Sequence, residues 1–363
     1  MIILHICNID NDGANGVSNV VPEHFKNQIL INKTTGVLVC GDVKIEKLDG
    51  YSNVFYLNEF KRIVDLPSPF NCPELIVFHE VYPIKYISIF NQIRNKYNYI
   101  IVPHGCLTTN AQKIKKMKKV IGNFIFYKNF VKNAKYIQYL SEEEKNMSVN
   151  WNKKAFICGN GISASGKIKS DFKRDDKINL IYVGRYSVYH KGLDILINGF
   201  ISNKEYVKKN NIFLNLYGKE CYGGTSQLQD LVHNNCMDEV IKFNGPIYGE
   251  DKLAKILESD FFIQTSRLEG QPLGVMEALM LGLPVIVSEG TTFSDFVIDN
   301  DCGFVCSDVL EFSKMFEQIV KCKRSDELSK LSVNARTAAI NSFSWDIIAK
   351  KSIDYYRKII NEL

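Results

Sequence analysis

Five side chains in this sequence have the types and spacings that suit a phosphorylated, hydroxyl-rich molecule. Glu269 and Glu277 lie eight positions apart in Glu269-Gly-Gln-Pro-Leu-Gly-Val-Met-Glu277. An ionised carboxylate only accepts hydrogen bonds, and its two oxygens match the vicinal hydroxyls of a ribose or hexose. Arg185 and Lys191 stand six apart in Val183-Gly-Arg-Tyr-Ser-Val-Tyr-His-Lys191. Arg offers a planar fork and Lys a mobile point charge, a combination suited to a diphosphate. With both cations supplying charge, no metal is needed for that task. His104, in Val102-Pro-His-Gly105, can donate to a hydroxyl or ease a developing charge.

These residues need elements that aim them. Asp260–Thr265 and Pro284–Ser288 are apolar runs of strand length, and Glu269-Gly-Gln-Pro272 between them reads as a turn. The spacing predicts a helix over Leu273–Leu281, with Pro272 at its first position and Gly282 just past its end. The result is a βαβ unit whose turn lies at the carboxyl end of a parallel strand, where open α/β sheets bind ligands. Backbone amides of Gly270, Gln271 and Leu273, around Pro272, together with the positive end of the helix dipole, suit phosphate. Glu277 sits among Val275, Met276, Ala278 and Leu279, which argues against a merely solvated charge. Arg185 follows a strand and Gly184, and Lys191 precedes a helix, so both can address one anion. After the first strand, Gly13 and Gly16 would let the backbone approach a ligand closely.

The same alternation of apolar runs and helical stretches fills the rest of the chain. Strands are predicted at Ile2–Cys7, Val37–Cys40, Val54–Leu57, Leu75–His79, Tyr99–Pro103, Tyr136–Tyr139 and Ala155–Cys158. Helical patterns fall near 17–30, 84–96, 111–132 and 142–150. Further strands follow at Phe213–Tyr217, Val240–Phe243 and Asp301–Cys306. This is a doubly wound α/β pattern. At 363 residues the chain is too long for one ordinary core and suits two domains. Asn160-Gly161-Ile162 and the polar stretch after it read as the linker, giving an N-terminal domain over 1–165, a C-terminal domain over 166–343 and a last amphipathic helix over 344–363. The triplet Asp10-Asn11-Asp12 could suggest a cation site. Asp299-Asn300-Asp301 repeats it in an unrelated loop, so both are read as local Asx turns, and no metal site is expected.

The pattern E-G-x-P-L-x-x-x-E-A-x-x-x-G-x-P-V-I, with V-G-R-x5-K-G-x-D-x-L-I upstream, resembles the donor-site signature of retaining glycosyltransferases of family 4. The likeness is strong over 178–306 and loose over 1–170. It implies the GT-B fold: two Rossmann-like domains with a cleft between them, and a C-terminal helix crossing back to the first. It also implies that Arg185 and Lys191 clamp the donor diphosphate, that Glu277 holds the ribose and Glu269 the donor sugar, and that backbone near Ile247 lies beside the base. His104-Gly105 resembles the family's inner-cleft histidine, with His79 and Glu80 on the acceptor side. The implied activity is transfer from a nucleotide sugar, UDP-linked, to a saccharide or lipid-linked acceptor in cell-surface polysaccharide synthesis, with retention and without metal or other cofactor. Gln271-Pro272 replace a commoner Phe-Gly, which bears on the donor sugar. A GT-B phosphorylase, a sugar-nucleotide epimerase and a non-catalytic sugar-nucleotide-binding subunit would share the sheet and stay open as alternatives.

Composition narrows the setting. Hydrophobic residues make up 45% and charged residues 23%, an ordinary globular balance that excludes a disordered chain. No run approaches the roughly 20 apolar residues that span a bilayer, and the opening Met-Ile-Ile-Leu-His-Ile-Cys-Asn reads as a strand rather than a leader. Ten cysteines, mostly single within apolar runs, indicate buried thiols in a reducing cytoplasm. The net charge of +5 divides into +9 over residues 1–170 and −4 over 171–363. Within 111–135, lysines interleave with Ile114, Met117, Val120, Ile121, Phe124 and Phe130 at spacings of three and four. That face predicts either an ordinary domain helix or one lying on an anionic membrane surface. No motif for nucleic acid accompanies the charge.

Overall fold

The computed structural model describes residues 1–11, 16–94, 96–113, 115–163, 166–172, 176–221, 223–267 and 269–362. Asp12, Gly13, Ile114 and Ser165, the last at the expected domain boundary, lie outside the described residues. The chain divides into two compact units, Met1–Gly161 with Trp345–Leu363, and Ile162–Ser344.

The first unit contains β1 (Ile3–Cys7), β2 (Thr35–Val39), β3 (Val54–Tyr56), β4 (Leu75–His79), β5 (Tyr99–Val102), β6 (Ile137–Tyr139) and β7 (Ala155–Ile157). They form one parallel sheet in the order β3-β2-β1-β4-β5-β6-β7. Every residue of β1, β2, β4, β5 and β6 is buried, as expected where helices cover both faces of a parallel sheet. One face carries an aromatic core in which Phe78, Tyr86, Tyr99 and Phe130 pack at ring separations of 5.0–5.7 Å for the three Phe78 contacts. Each such fully buried ring contributes roughly 1.5–3 kcal/mol over exposure. The other face, Ile3, Leu75, Val77, Ile100 and Val102, is covered by Ile353, Tyr356 and Ile359 of helix Trp345–Asn361. Trp345 anchors that helix: it stacks on His24 at 5.6 Å, and a Cβ on Gly161 would lie 2.5 Å from its ring.

The second unit contains β8 (Ile178–Val183), β9 (Ile212–Tyr217), β10 (Ile241–Asn244), β11 (Phe261–Gln264), β12 (Val285–Val287) and β13 (Gly303–Val305), ordered β10-β9-β8-β11-β12-β13, again all parallel. At the amino ends of β8 and β11, the Lys323 ammonium donates to Asp260 at 2.8 Å, while the other Asp260 oxygen accepts the Asn179 amide at 2.8 Å. Both side chains are about 5% exposed. The pair is saturated as well as buried, the condition under which an interior charge is tolerated.

The doubly wound reading holds in both units, with strand ends within two residues of those predicted. The segment 111–132 does not hold as one helix. It is Thr109–Lys113, Lys116–Gly122, a π-helical turn over Asn123–Tyr127 and Lys128–Asn133, broken by Lys115 in the left-handed region (φ 53°). The π turn changes which residues face inward. Phe130 and Val131 are buried, whereas Met117, Val120, Ile121, Phe124 and Ile125 are exposed.

Candidate functional site

In the second unit the chain leaves β8 toward β9 and β10, then returns to the opposite side of β8 as β11. Connections diverge on the two sides of this switch point, leaving open ground at the carboxyl ends of β8 and β11. Gly184 and Arg185 follow β8, and Thr265 to Glu269 follow β11. The helix Leu273–Met280 starts over the same edge: a Cβ on Gly274 would lie 3.4 Å from the Val183 carbonyl and 3.7 Å from Gln264 Oε1. Pro272 is the residue before this helix rather than its first, and no side chain caps the start.

Lys191 and Glu269 form an ion pair at this edge, 19% and 13% exposed respectively. Glu269 Oε1 also accepts from Gln264 Nε2 at 2.9 Å and Ser266 Oγ at 3.0 Å. Lys191 ends a short helix, Val188–Lys191, closed by Gly192 at φ 61°. A Cβ at Gly192 would fall 1.9 Å from the Thr265 carbonyl oxygen, so only glycine brings the two loops this close. Thr265 Oγ1 donates to the Gly192 carbonyl at 2.9 Å, and Arg267 grips Asp194 with two parallel bonds of 2.7 Å. Burial works to raise the Asp194 carboxyl, but the Arg267 fork more than offsets it and holds the group low.

Arg185 is exposed, and its guanidinium makes no hydrogen bond or ion pair among the described residues. The buried Tyr182 phenol ties it to the cluster: its hydroxyl donates to the Arg185 carbonyl at 2.9 Å. Burial raises that phenol well above its usual range, with Glu269 adding to the rise and Arg185 opposing it, so both charges reach one ring. A Cβ on Gly184 would lie 2.7 Å from the same hydroxyl. Glu277 stands apart from this group and pairs with Lys252 of helix Gly249–Glu258. Lys252 was not singled out in the sequence, where it is one lysine in an ordinary Glu-Asp-Lys helix start. Ile247 lies half-buried in the loop after β10, two strands from the switch point. Gly270 and Gln271 are half-buried beside Glu269, with Pro272 buried and Leu273 half-buried behind them.

In the first unit the corresponding switch lies between β1 and β4. Glu80 follows β4 and His104 follows β5, both non-glycine residues in the left-handed region, at φ 67° and 51°. Such backbone is costly and tends to be kept where a side chain must be aimed. Burial, with Asp10 nearby, pushes the Glu80 carboxyl up to about 7. Glu144 fixes the turn after His104: its buried carboxylate accepts the Gly105 amide at 2.5 Å and the Leu140 amide at 2.7 Å. His104 Nε2 is 3.0 Å from His79 Nδ1, and burial lowers His104 to about 4. Gly16, the first residue of helix Gly16–Ile31, is exposed, and a Cβ there would meet nothing within 4 Å. Asp10 Oδ1 accepts from Ser18 Oγ at 2.8 Å. Among the described residues, no three His, Cys, Asp or Glu side chains are grouped as a metal site, and no helix is long and apolar enough to cross a membrane.

With this geometry, residues 165–338 match the model of the family Glycosyl transferases group 1. Among curated proteins, Protein CapJ of Staphylococcus aureus is 25% identical over 238 residues, 65% of this chain and 59% of its own length. The phosphatidyl-myo-inositol mannosyltransferase of Mycobacterium leprae is 22% identical over 182 residues, 50% of this chain and 46% of its own. The chain thus spans about half the length of these relatives. The solved structure of Anabaena Alr3699/HepE in complex with UDP and glucose superposes with a TM-score of 0.70 at 15% identity, covering 99% of this chain and all of that one. Residues 165–338 are therefore similar to the Glycosyl transferases group 1 family, and the two parallel sheets are those of the GT-B fold.

Proposed function

We propose that this protein is a retaining glycosyltransferase. It moves a sugar from a UDP-linked donor to a hydroxyl of a saccharide or lipid-linked acceptor in cell-surface polysaccharide synthesis. The observation that carries the reading is the Lys191–Glu269 pair at the β8/β11 switch point, with Arg185 on the same strand end. A nucleotide sugar offers a diphosphate to the two cations and the uncapped helix start, and hydroxyls to the two glutamates. Departure of the nucleoside diphosphate builds negative charge on its phosphate, and fixed cations stabilise that state more than the bound donor. Glu269, held by Gln264 and Ser266, orients the donor sugar. Glu277 holds the ribose, with Lys252 beside it, and Ile247 borders the base. The leaving phosphate takes the acceptor proton on the face from which it departs, which preserves the anomeric configuration, and Arg185 and Lys191 do the electrostatic work without a metal. His104 and Glu80 serve the acceptor. The HepE complex with UDP and glucose supports this donor class, and the mannosyltransferase relative supports sugar transfer.

Sugar transfer from a panel of nucleotide sugars tests the reading, with the anomeric configuration of the product determined by NMR. Thermal shifts across the same panel identify the donor, because a ligand bound to the folded state raises its stability with occupancy. An isomerised donor, or phosphate consumed in place of a transferred sugar, would overturn it.

In this reading the lipid-linked class of acceptor is met at residues 113–128. Phe124 is 89%, Met117 77% and Ile125 73% exposed, and Lys113, Lys115, Lys116, Lys118, Lys119 and Lys128 neighbour them along the chain. Apolar side chains flanked by lysines suit an anionic bilayer surface. Phe124→Ser with Ile125→Ser should abolish sedimentation with phosphatidylglycerol vesicles at low salt; unchanged sedimentation would remove the membrane contact.

A further inference from the structure

Four histidines of the first unit, His5, His24, His79 and His104, gather behind the end of β5, and only His104 reaches the surface. His5 and His79 are about 1% exposed, His24 4%, and Gln28 and Ser352, which complete the group, are fully buried. From the helix Trp345–Asn361 inward, the Ser352 hydroxyl donates to the Ala349 carbonyl at 2.8 Å. Its oxygen then accepts from Gln28 Nε2 at 2.7 Å. The Gln28 carbonyl oxygen is 2.6 Å from His5 Nε2, His5 Nδ1 is 2.9 Å from His79 Nε2, and His79 Nδ1 is 3.0 Å from His104 Nε2. His24 Nε2 stands 3.0 Å from both Gln28 Nε2 and Ser352 Oγ.

A neutral imidazole has one N–H and one bare nitrogen, so each link dictates the next. The Ala349 carbonyl can only accept, which commits the serine proton and turns its lone pair toward the Gln28 amide nitrogen. The Gln28 oxygen therefore faces His5 and accepts from its Nε2–H. His5 Nδ1 is then bare and accepts from His79 Nε2–H, and His79 Nδ1 in turn accepts from His104 Nε2–H. Reversing any link would set two N–H groups, or two lone pairs, against each other in a buried place, a costly arrangement.

We propose that His5, His79 and Gln28 are positioning residues that lock His104 in the Nε2–H tautomer. Its Nδ1 is thereby a hydrogen-bond acceptor for a hydroxyl of the acceptor substrate. The ring takes a hydrogen bond from that hydroxyl, and does not give one. The assignment of the hydroxyl rests on the glycosyltransferase reading; the tautomer does not.

The two are separated by measuring them apart. Long-range proton–nitrogen correlation on the full-length protein with 15N-labelled histidine, at neutral pH, reads which nitrogen of His104 is bare. The expected signature is a protonated Nε2 and an unprotonated Nδ1. His79→Gln keeps an N–H for His5 and a carbonyl for His104, and should preserve it. His79→Met breaks the chain and should leave His104 as a mixture of tautomers. Gln28→Met, one link further away, gives the same test where the first variant fails to fold. A His104 bearing its proton on Nδ1, or a tautomer unmoved by both methionine variants, overturns the proposal. In transfer assays His79→Met should lower kcat roughly tenfold with donor KM unchanged, one such interaction being worth about one decade, and His79→Gln should restore most of it. A protein that shows the tautomer pattern but transfers no sugar would overturn the glycosyltransferase reading alone.

Discussion

At the carboxyl edge of the first sheet a chain of buried rings and an amide runs several residues deep behind the surface; at the matching edge of the second an ion pair stands one layer deep. The two sheets share a topology, β3-β2-β1-β4-β5 beside β10-β9-β8-β11-β12, so each has an open switch point. What differs is what the chain places there. Lys191 and Glu269 keep part of their surface in water, where a pair of charges can persist and still be offered to a ligand. His5, His24 and His79 do not, and burial strips them of charge, leaving hydrogen-bond direction as the property they can transmit. Topology supplies the opening, and burial decides whether it works by charge or by polarity.

Acid should break the first edge. His5 is lowered to about 4 by burial, against 6.5 for the free side chain. The unfolded chain therefore takes up a proton that the folded one refuses between those values. The stability is fully present above 6.5 and is lost as pH falls toward 4. Compared with His5→Gln, whose slope lacks this proton, urea unfolding of the native protein should lose about 1.4 kcal/mol more for each pH unit of descent. Parallel curves would show that His5 is charged in the fold.

The second edge should break by loss of charge. Lys191→Ala and Arg185→Ala should each lower turnover by about 10²–10³, the usual cost of one donor to a developing negative charge. Arg185→Ala should leave the melting temperature unchanged, since that guanidinium makes no hydrogen bond or ion pair among the described residues. If transfer survived in both variants, the anion site would lie elsewhere.

Two glycines sharpen the contrast at smaller scale. Gly192→Ala forces a left-handed alanine against the Thr265 carbonyl and should cost about 2–4 kcal/mol in denaturant unfolding. Gly16→Ala meets open space and should change stability by less than about 0.5 kcal/mol. A comparable loss at both would mean that the first glycine is also packed.

Much of the second edge was legible in the sequence because its residues are near neighbours in the chain. Glu269, Gly270, Gln271, Pro272 and Leu273 share one strand–turn–helix connection, and Gly184, Arg185 and Lys191 share another, so local spacing nearly fixes their geometry. The ion pair across the two connections and the partnership of Glu277 with Lys252 were not legible, since both depend on which strands lie side by side. The histidine chain was less legible still. His5, Gln28, His79, His104 and Ser352 span most of the sequence, and each taken singly looks like a residue of an ordinary strand or helix. Residues 111–132 misled for another reason: a period of three and four signals an apolar face without saying what covers it, and a left-handed lysine and a π turn leave part of that face bare.

The helix Trp345–Asn361 sets an order of assembly on the ribosome. The first unit begins ahead of the second but lacks one flank of its sheet until Trp345–Asn361 has been made. The second unit, contiguous over Ile162–Ser344, has all its parts earlier and can close while its predecessor waits. A nascent chain stalled between these points would present Ile3, Leu75, Val77 and Ile100 as a bare apolar sheet face, the kind of surface that holdase chaperones bind. The same helix brings Ser352 and the Ala349 carbonyl, so the histidine array acquires its direction only once Trp345–Asn361 has docked.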